Sequence, residues 1–225
     1  MHVAVLLHGN GVYDGTEIQE AVLTFLALTQ NGHTYQCVAP NVEQHHVINH
    51  TTGEEMNETR NVLVESARIA RGDIQELSEI NINDYDVLAM PGGFGTAKNF
   101  TKWAFNGPDG PIIDSVKNLV LGFIEKKKII LGMCMSPTTI AKALEGSDYH
   151  AKLTVGSTAE ASPYDIKAIS EGVNATGAVA EMKTVNEILI DQDLRIITAP
   201  CYMMEANVLE VYENILSAVK AMETI

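Results

Sequence analysis

The chain of 225 residues carries 15 Lys plus Arg against 29 Asp plus Glu, a net charge of −14 that excludes a phosphate-binding surface and, with it, a nucleic-acid partner. With 46% apolar and 20% charged residues it falls among folded globular chains, and no run of about 18 apolar residues offers a membrane span. This length predicts one domain over residues 1–225.

Residues 2–7 are a short apolar run ending in His8-Gly9-Asn10-Gly11, the pattern of a buried strand that enters a tight turn. Thr16 reads as an N-cap, followed by Ile18, Ala21, Val22, Phe25, Leu26 and Leu28 at helical spacing up to Asn31-Gly32. Residues 34–39 form a second strand that stops at Pro40, and this strand–helix–strand opening implies parallel pairing. A polar stretch containing His45, His46, Asn49 and His50 leads to a helix-like segment over residues 54–70. A third strand over residues 84–90 breaks at Pro91-Gly92-Gly93-Phe94-Gly95. Residues 112–126 read as a helix and 129–132 as a fourth strand. Met133-Cys134-Met135-Ser136-Pro137 then opens a helix through about Leu144, with Pro137 at its first position. A short strand over 152–155, a hairpin of 187–190 with 194–198 and a closing helix over 203–222 complete the chain. The alternation predicts an α/β sandwich, a mostly parallel sheet with helices on both faces.

In such sheets ligands gather at the carboxyl ends of the strands, where three features of this chain converge: residues 9–20, 91–95 and 133–137. Cys134 lies between a buried strand and a helix start, the geometry of a nucleophile elbow, where the helix dipole favours thiolate and the N–H of Met135 can stabilise an oxyanion. The competing reading is an inert core cysteine. Gly92 and Gly93 offer consecutive N–H groups to an anion or oxyanion, and the loop matches neither nucleotide-binding glycine pattern. Glu17 and Glu20 lie one helical turn apart, and Glu20 sits among apolar neighbours, where its carboxyl titrates high enough to move protons near a sulfur. His45, His46 and His50 lack a Cys or acidic partner, so no metal is expected; His150, the histidine downstream of Cys134, sits in a surface-like turn. Cys37, Cys134 and Cys201 show no disulfide or zinc spacing, and with no leader-like N-terminus a reduced, cytoplasmic protein is expected.

Five segments carry a family resemblance: residues 11–24 (Gly-Val-Tyr-Asp-Gly-Thr-Glu-Ile-Gln-Glu-Ala-Val-Leu-Thr), 47–54 (Val-Ile-Asn-His-Thr-Thr-Gly-Glu), 58–63 (Glu-Thr-Arg-Asn-Val-Leu), 91–99 (Pro-Gly-Gly-Phe-Gly-Thr-Ala-Lys-Asn) and the Met-Cys-x-x-Pro of 133–137. They resemble the enhancing-lycopene-biosynthesis family, also called the sigma cross-reacting or ElbB-type glyoxalase family. That family lies within the PfpI/ThiJ, class I glutamine amidotransferase-like superfamily, and the similarity runs essentially end to end. It implies a flavodoxin-like sandwich, a homodimer, a cofactor-free glyoxalase acting on small aldehydes, a tie to isoprenoid biosynthesis and a nucleophile at Cys134. It also implies a helix-borne glutamate twelve residues before the glycine that ends the first helix, which counts back from Gly32 to Glu20. Tyr13, Asp14, Asn49, His50, Lys98 and Tyr202 fall in or beside the matched segments as substrate-binding candidates. The superfamily histidine after the elbow has no counterpart, the chain reading Leu153-Thr-Val-Gly156 there, so hydrolysis lacks an evident base and slow turnover is expected. A hydrolase or amidotransferase, and a redox or carbonyl sensor built on a reactive Cys134, are the alternatives.

Overall fold

Val3 to Leu7 have no solvent exposure, so the first strand needs no polar alternation: helices cover both of its faces. The computed structural model describes residues 1–225. In chain order the principal elements are β1 (His2–Leu6), α1 (Ile18–Gln30), β2 (Thr34–Ala39), α2 (Val62–Ile69), β3 (Ile74–Glu76), β4 (Val87–Met90), α3 (Asp114–Glu125), β5 (Ile129–Met133), α4 (Ser136–Leu144), α5 (Ile166–Ala175), β6 (Leu189–Asp191), β7 (Ile196–Ala199) and α6 (Val208–Ala221). One seven-stranded sheet runs β6-β7-β5-β4-β1-β2-β3, parallel throughout except for the β6–β7 hairpin at one edge. Helices α1, α2 and α6 pack together on one side, and α3, α4 and α5 on the other. This is the α/β sandwich that the alternation of elements predicts, flavodoxin-like as the family resemblance implies, with fully buried Phe100, Phe123, Leu88 and Leu131 in its core.

The register positions the site. Val5 pairs with Ala89, Met90 with Gly132 and Met133 with Ala199, so the residues that follow β1, β4, β5 and β7 leave the sheet along one edge. His8, Gly92, Cys134 and Cys201 are thereby brought to the same crest.

Four local expectations are corrected. Thr16 does not cap α1, because its Oγ1 accepts the His8 N–H at 2.8 Å; Glu17 is the cap and accepts the Glu20 N–H at 2.6 Å. The helix expected over 54–70 begins only at Val62, since Glu55–Met56 pairs with Val47–Ile48 in a small hairpin and Asn61 caps the helix through the Val64 N–H at 3.1 Å. The closing helix begins at Val208, where Asn207 and Glu210 form a reciprocal capping box, and Cys201–Met203 is a separate tight turn. Pro137 occupies the second helical position of α4, because Ser136 already lies in the helix.

Candidate functional site

β5 is buried over its whole length, and Cys134 follows it at φ +56°, a left-handed conformation that a side chain adopts only at a cost. The Cys134 N–H donates to Ala199 O at 2.9 Å, which ties the elbow to the end of β7 and swings the sulfur away from the ladder. Cys134 is 5% exposed. Glu20, in the first turn of α1, is fully buried: its Oε2 accepts the Gly92 N–H at 2.8 Å and its Oε1 accepts the Tyr202 N–H at 3.2 Å. A Cβ on Gly92 would lie 2.3 Å from the Cys134 Cβ, 2.5 Å from Glu20 Oε2 and 2.8 Å from the Cys134 Sγ, so sulfur and carboxyl meet over a bare backbone. Only glycine leaves that space.

The glycine loop is held from behind. Pro91 O accepts from His8 Nε2 at 3.1 Å and from Ser136 Oγ at 2.6 Å, and Gly92 O accepts the Glu17 N–H at 2.8 Å. Burial drives the His8 imidazole down to about 4, so the ring is neutral at working pH with its proton on Nε2. With the loop fixed this way, the Gly93 N–H faces the Cys134 sulfur. Gly93 itself sits at φ +106°, and a Cβ there would lie 2.4 Å from both Glu17 N and Gly15 O. Gly93→Ala is therefore expected to destabilise the fold by about 2–4 kcal/mol and to lower Tm by roughly 5–15 °C in a circular-dichroism melt. An unchanged melt would contradict this packing.

Burial first, and the charge of Glu17 second, push the Glu20 carboxyl up to about 8. Burial, then Glu20, then Cys201 hold the Cys134 thiol well above the ordinary cysteine range. The thiolate expected from the helix dipole is thus not the resting form: desolvation of a fully enclosed sulfur outweighs one helix terminus. At neutral pH the pair rests as a thiol beside a protonated carboxyl. A carboxyl that titrates near 4.5 when unfolded and about 8 when folded stabilises the protein fully below pH 4.5 and loses that contribution as pH rises to 8. In urea unfolding, wild type should lose roughly 2–3 kcal/mol relative to Glu20→Gln between pH 6 and 8.5. Parallel pH dependences would contradict the buried acid.

The sulfur opens onto a cavity of about 10 Å³, space for about one water, walled by Val12, Gly93, Phe94, Met135, Tyr164 and Met203 among others. Val12, Glu17, Tyr164 and Tyr202 are shared with an outer cleft of about 380 Å³, which adds Tyr13, Gln19 and Glu205. Cys134, Glu20, Gly92, Gly93, Met135, Glu17, Tyr13 and Tyr202 are brought together, but the Gly92 N–H expected to face an oxyanion is committed to Glu20 Oε2, which leaves Gly93 and Met135 as the N–H candidates. Asp14, Asn49 and His50 do not line the cleft. Asp14 Oδ2 accepts the Ile48 N–H at 2.6 Å, Asn49 Oδ1 accepts from Thr51, and His50 Nε2 accepts the Tyr13 N–H at 3.2 Å with its ring stacked on Tyr13. Their backbone and turn bonds consume them, and they act as the support under Tyr13. Lys98 is likewise committed, to Tyr13 O at 2.6 Å and His46 Nε2 at 2.9 Å. His150 is remote, bonded through Nδ1 to Gly177 O at 2.9 Å. Sequence reading missed His8, Ser136 and Tyr164: Ser136 lies within the 133–137 motif at a position the motif leaves open, and only the fold brings all three to the loop and cleft.

No family model matches the chain. The mitochondrial ES1 protein homolog of Rattus norvegicus is 39% identical over 97% of this chain and 81% of its own length. Glutamine amidotransferase-like class 1 domain-containing protein 3, mitochondrial, of Homo sapiens is 38% identical over 95% and 79%. Among solved structures, an isoprenoid biosynthesis protein with amidotransferase-like domain from Ehrlichia chaffeensis superposes with a TM-score of 0.89 at 33% identity over 100% of this chain and 99% of that one. Glyoxalase III from Candida albicans shares the fold at a TM-score of 0.61 and 14% identity, over 99% of this chain and 97% of that one. The curated relatives, the ES1 protein of Danio rerio included, are mitochondrial, which overturns the expected cytoplasmic location. The cysteine spacing on which that expectation rested does not distinguish one compartment from another. On these identities and this coverage, the chain belongs to the family of ES1 and glutamine amidotransferase-like class 1 domain-containing proteins.

Proposed function

We propose that the protein is a glutathione-independent, ElbB-type glyoxalase that converts glyoxal-type 2-oxoaldehydes to 2-hydroxy acids on Cys134. The observation that carries this reading is the side-by-side placement of the Cys134 sulfur and the Glu20 carboxyl against Gly92, with the Gly93 N–H facing the sulfur. A nucleophile, a proton carrier and an oxyanion site are what an internal oxidation–reduction of a dicarbonyl requires. Glyoxalase III on the same fold is consistent with it.

The thiol proton passes to the Glu20 carboxylate as sulfur adds to the aldehyde carbon, and the new alkoxide lies against the Gly93 and Met135 N–H groups. Glu20 returns that proton to the alkoxide, giving a hemithioacetal. The regenerated carboxylate then removes the C1 hydrogen as a proton and delivers it to C2, while the C1 hydroxyl proton moves to the C2 oxygen, leaving a 2-hydroxyacyl thioester. Water cleaves the thioester, releasing the acid and restoring the thiol. Because the protein supplies the sulfur, glutathione has no role.

Glu20 must be ionised to begin, and it titrates near 8. The expected kcat/KM therefore rises about tenfold per pH unit from pH 6 and levels off above about 8. A pH–rate profile that is flat or falling over that range contradicts this assignment. Methylglyoxal incubated with the protein in D2O, without glutathione, should give lactate carrying deuterium at C2 to the extent that the proton held by Glu20 exchanges with solvent before delivery, read by proton NMR; deuterium there establishes proton transfer, and protium alone means that the hydrogen passes between the two carbons without exchange.

The alternatives fit less well. An amidotransferase or hydrolase needs an imidazole to protonate its leaving group, and no histidine lines the Cys134 cavity. A sensor needs an exposed, easily ionised thiol, whereas Cys134 is buried and its pKa is raised.

A further inference from the structure

The outer cleft is much larger than a glyoxal molecule requires. Its volume of about 380 Å³ would hold roughly a dozen waters and lies in the range of sites for larger metabolites. Its lining includes Tyr13, Tyr164 and Tyr202 together with Glu205 and Glu17, one oxygen of which caps α1, with no Lys, Arg or His among the lining residues. Lys98, the cation bonded to the Tyr13 backbone, is turned away to His46 and stacked 5.4 Å from the Phe94 ring centre. The Tyr202 hydroxyl donates to Gln19 Oε1, and Tyr164 packs edge-on against Phe94 at 5.7 Å, so both rings are held in place. The cleft adjoins the sulfur cavity, sharing Val12, Glu17, Tyr164 and Tyr202 with it as lining residues.

Aromatic faces combined with carboxylates attract organic cations and repel anions. We propose that this cleft selects carbonyl compounds bearing an ammonium or guanidinium group, the cation resting among Tyr13, Tyr164, Tyr202, Glu17 and Glu205 while the carbonyl end reaches Cys134. The inference rests on the reading of Cys134 as the reacting atom and names the substrate class; it does not depend on turnover. Glyoxal and methylglyoxal fill only the inner end of such a site.

The test uses three methanethiosulfonate reagents on the whole protein: 2-(trimethylammonio)ethyl, methyl and 2-sulfonatoethyl. Each forms a mixed disulfide with Cys134 and releases methanesulfinate, so rates at Cys134 follow from mass spectrometry of the corresponding peptide, normalised to the same reagents on glutathione. The expected result is a normalised rate at least tenfold higher for the cationic reagent than for the neutral one, with the anionic reagent slowest. Glu205→Gln, at an exposed position, should lower that preference severalfold, and Glu17→Gln with Glu205→Gln should remove most of it. Glu171→Gln, an exposed change on α5 that alters net charge by the same single unit as Glu205→Gln, should leave it intact and so separates the cleft from the overall charge of −14. Equal normalised rates in wild type, a preference that survives the double variant, or no reaction of Cys134 with any reagent would overturn the inference. Charge selection without acid production would uphold it while removing the glyoxalase reading, and acid production without charge selection would do the reverse.

Discussion

Glu20→Gln is expected to lower glutathione-independent acid production by about 10²–10⁴-fold, the range contributed by a positioned proton carrier. The amide keeps the shape of the carboxyl and one acceptor for the Gly92 or Tyr202 N–H, so the elbow stays built, but it cannot take the thiol proton or move hydrogen between C1 and C2. The loss should fall on kcat rather than KM, since Glu20 lies beneath the sulfur and does not line the outer cleft. The inflection near pH 8 should vanish with it. Steady-state kinetics from pH 6 to 9.5 check all three points, and a variant within threefold of wild type, with its inflection retained, would place the proton carrier elsewhere.

Cys134→Ala should reduce acid production to the rate of a protein-free control, because no second sulfur has the same access: Cys201 is fully buried and Cys37 lies within β2. Alanine preserves the N–H bond to Ala199 O and the left-handed backbone, so the near-ultraviolet dichroism spectrum should match wild type. Retained turnover in a folded Cys134→Ala would end the covalent mechanism. Cys134→Ser should behave almost as poorly, since a hydroxyl is far harder to ionise in a cavity that already holds a thiol neutral.

Much of this arrangement is legible in the sequence. Runs such as Val3–Leu7 and Ile129–Met133 declare buried parallel strands because both faces of the sheet are covered, and the breaks at Gly9, Pro91-Gly92 and Cys134 mark the strand ends where a site forms. Helix α5 carried a readable signal in Asp165, Ile166, Ile169 and Val173, yet it lies between loops and was passed over; the three-residue edge strand β3 is too short to show a period. The segment over 54–70 misled because its residues suit a helix locally, while pairing of Glu55–Met56 with Val47–Ile48 is a tertiary outcome. In the site, identity was more visible than ionisation. The position of Cys134 at a helix start suggests thiolate, but the cost of enclosing it beside Glu20 depends on Tyr202, Gly92 and Val12, which approach from three distant parts of the chain. His8 shows the same limit: burial keeps its ring neutral, and the Pro91 carbonyl, 83 positions away, fixes its proton on Nε2.

The central claim is that the Cys134–Glu20 pair turns over 2-oxoaldehydes without a thiol cofactor, and counting product per protein tests it most directly. Wild type and Cys134→Ala would be incubated with millimolar glyoxal in the absence of glutathione, and glycolate would be quantified per mole of protein. The account predicts many equivalents from wild type and none above the protein-free control from Cys134→Ala; at most one equivalent, accompanied by a stable mass adduct on Cys134, would contradict it.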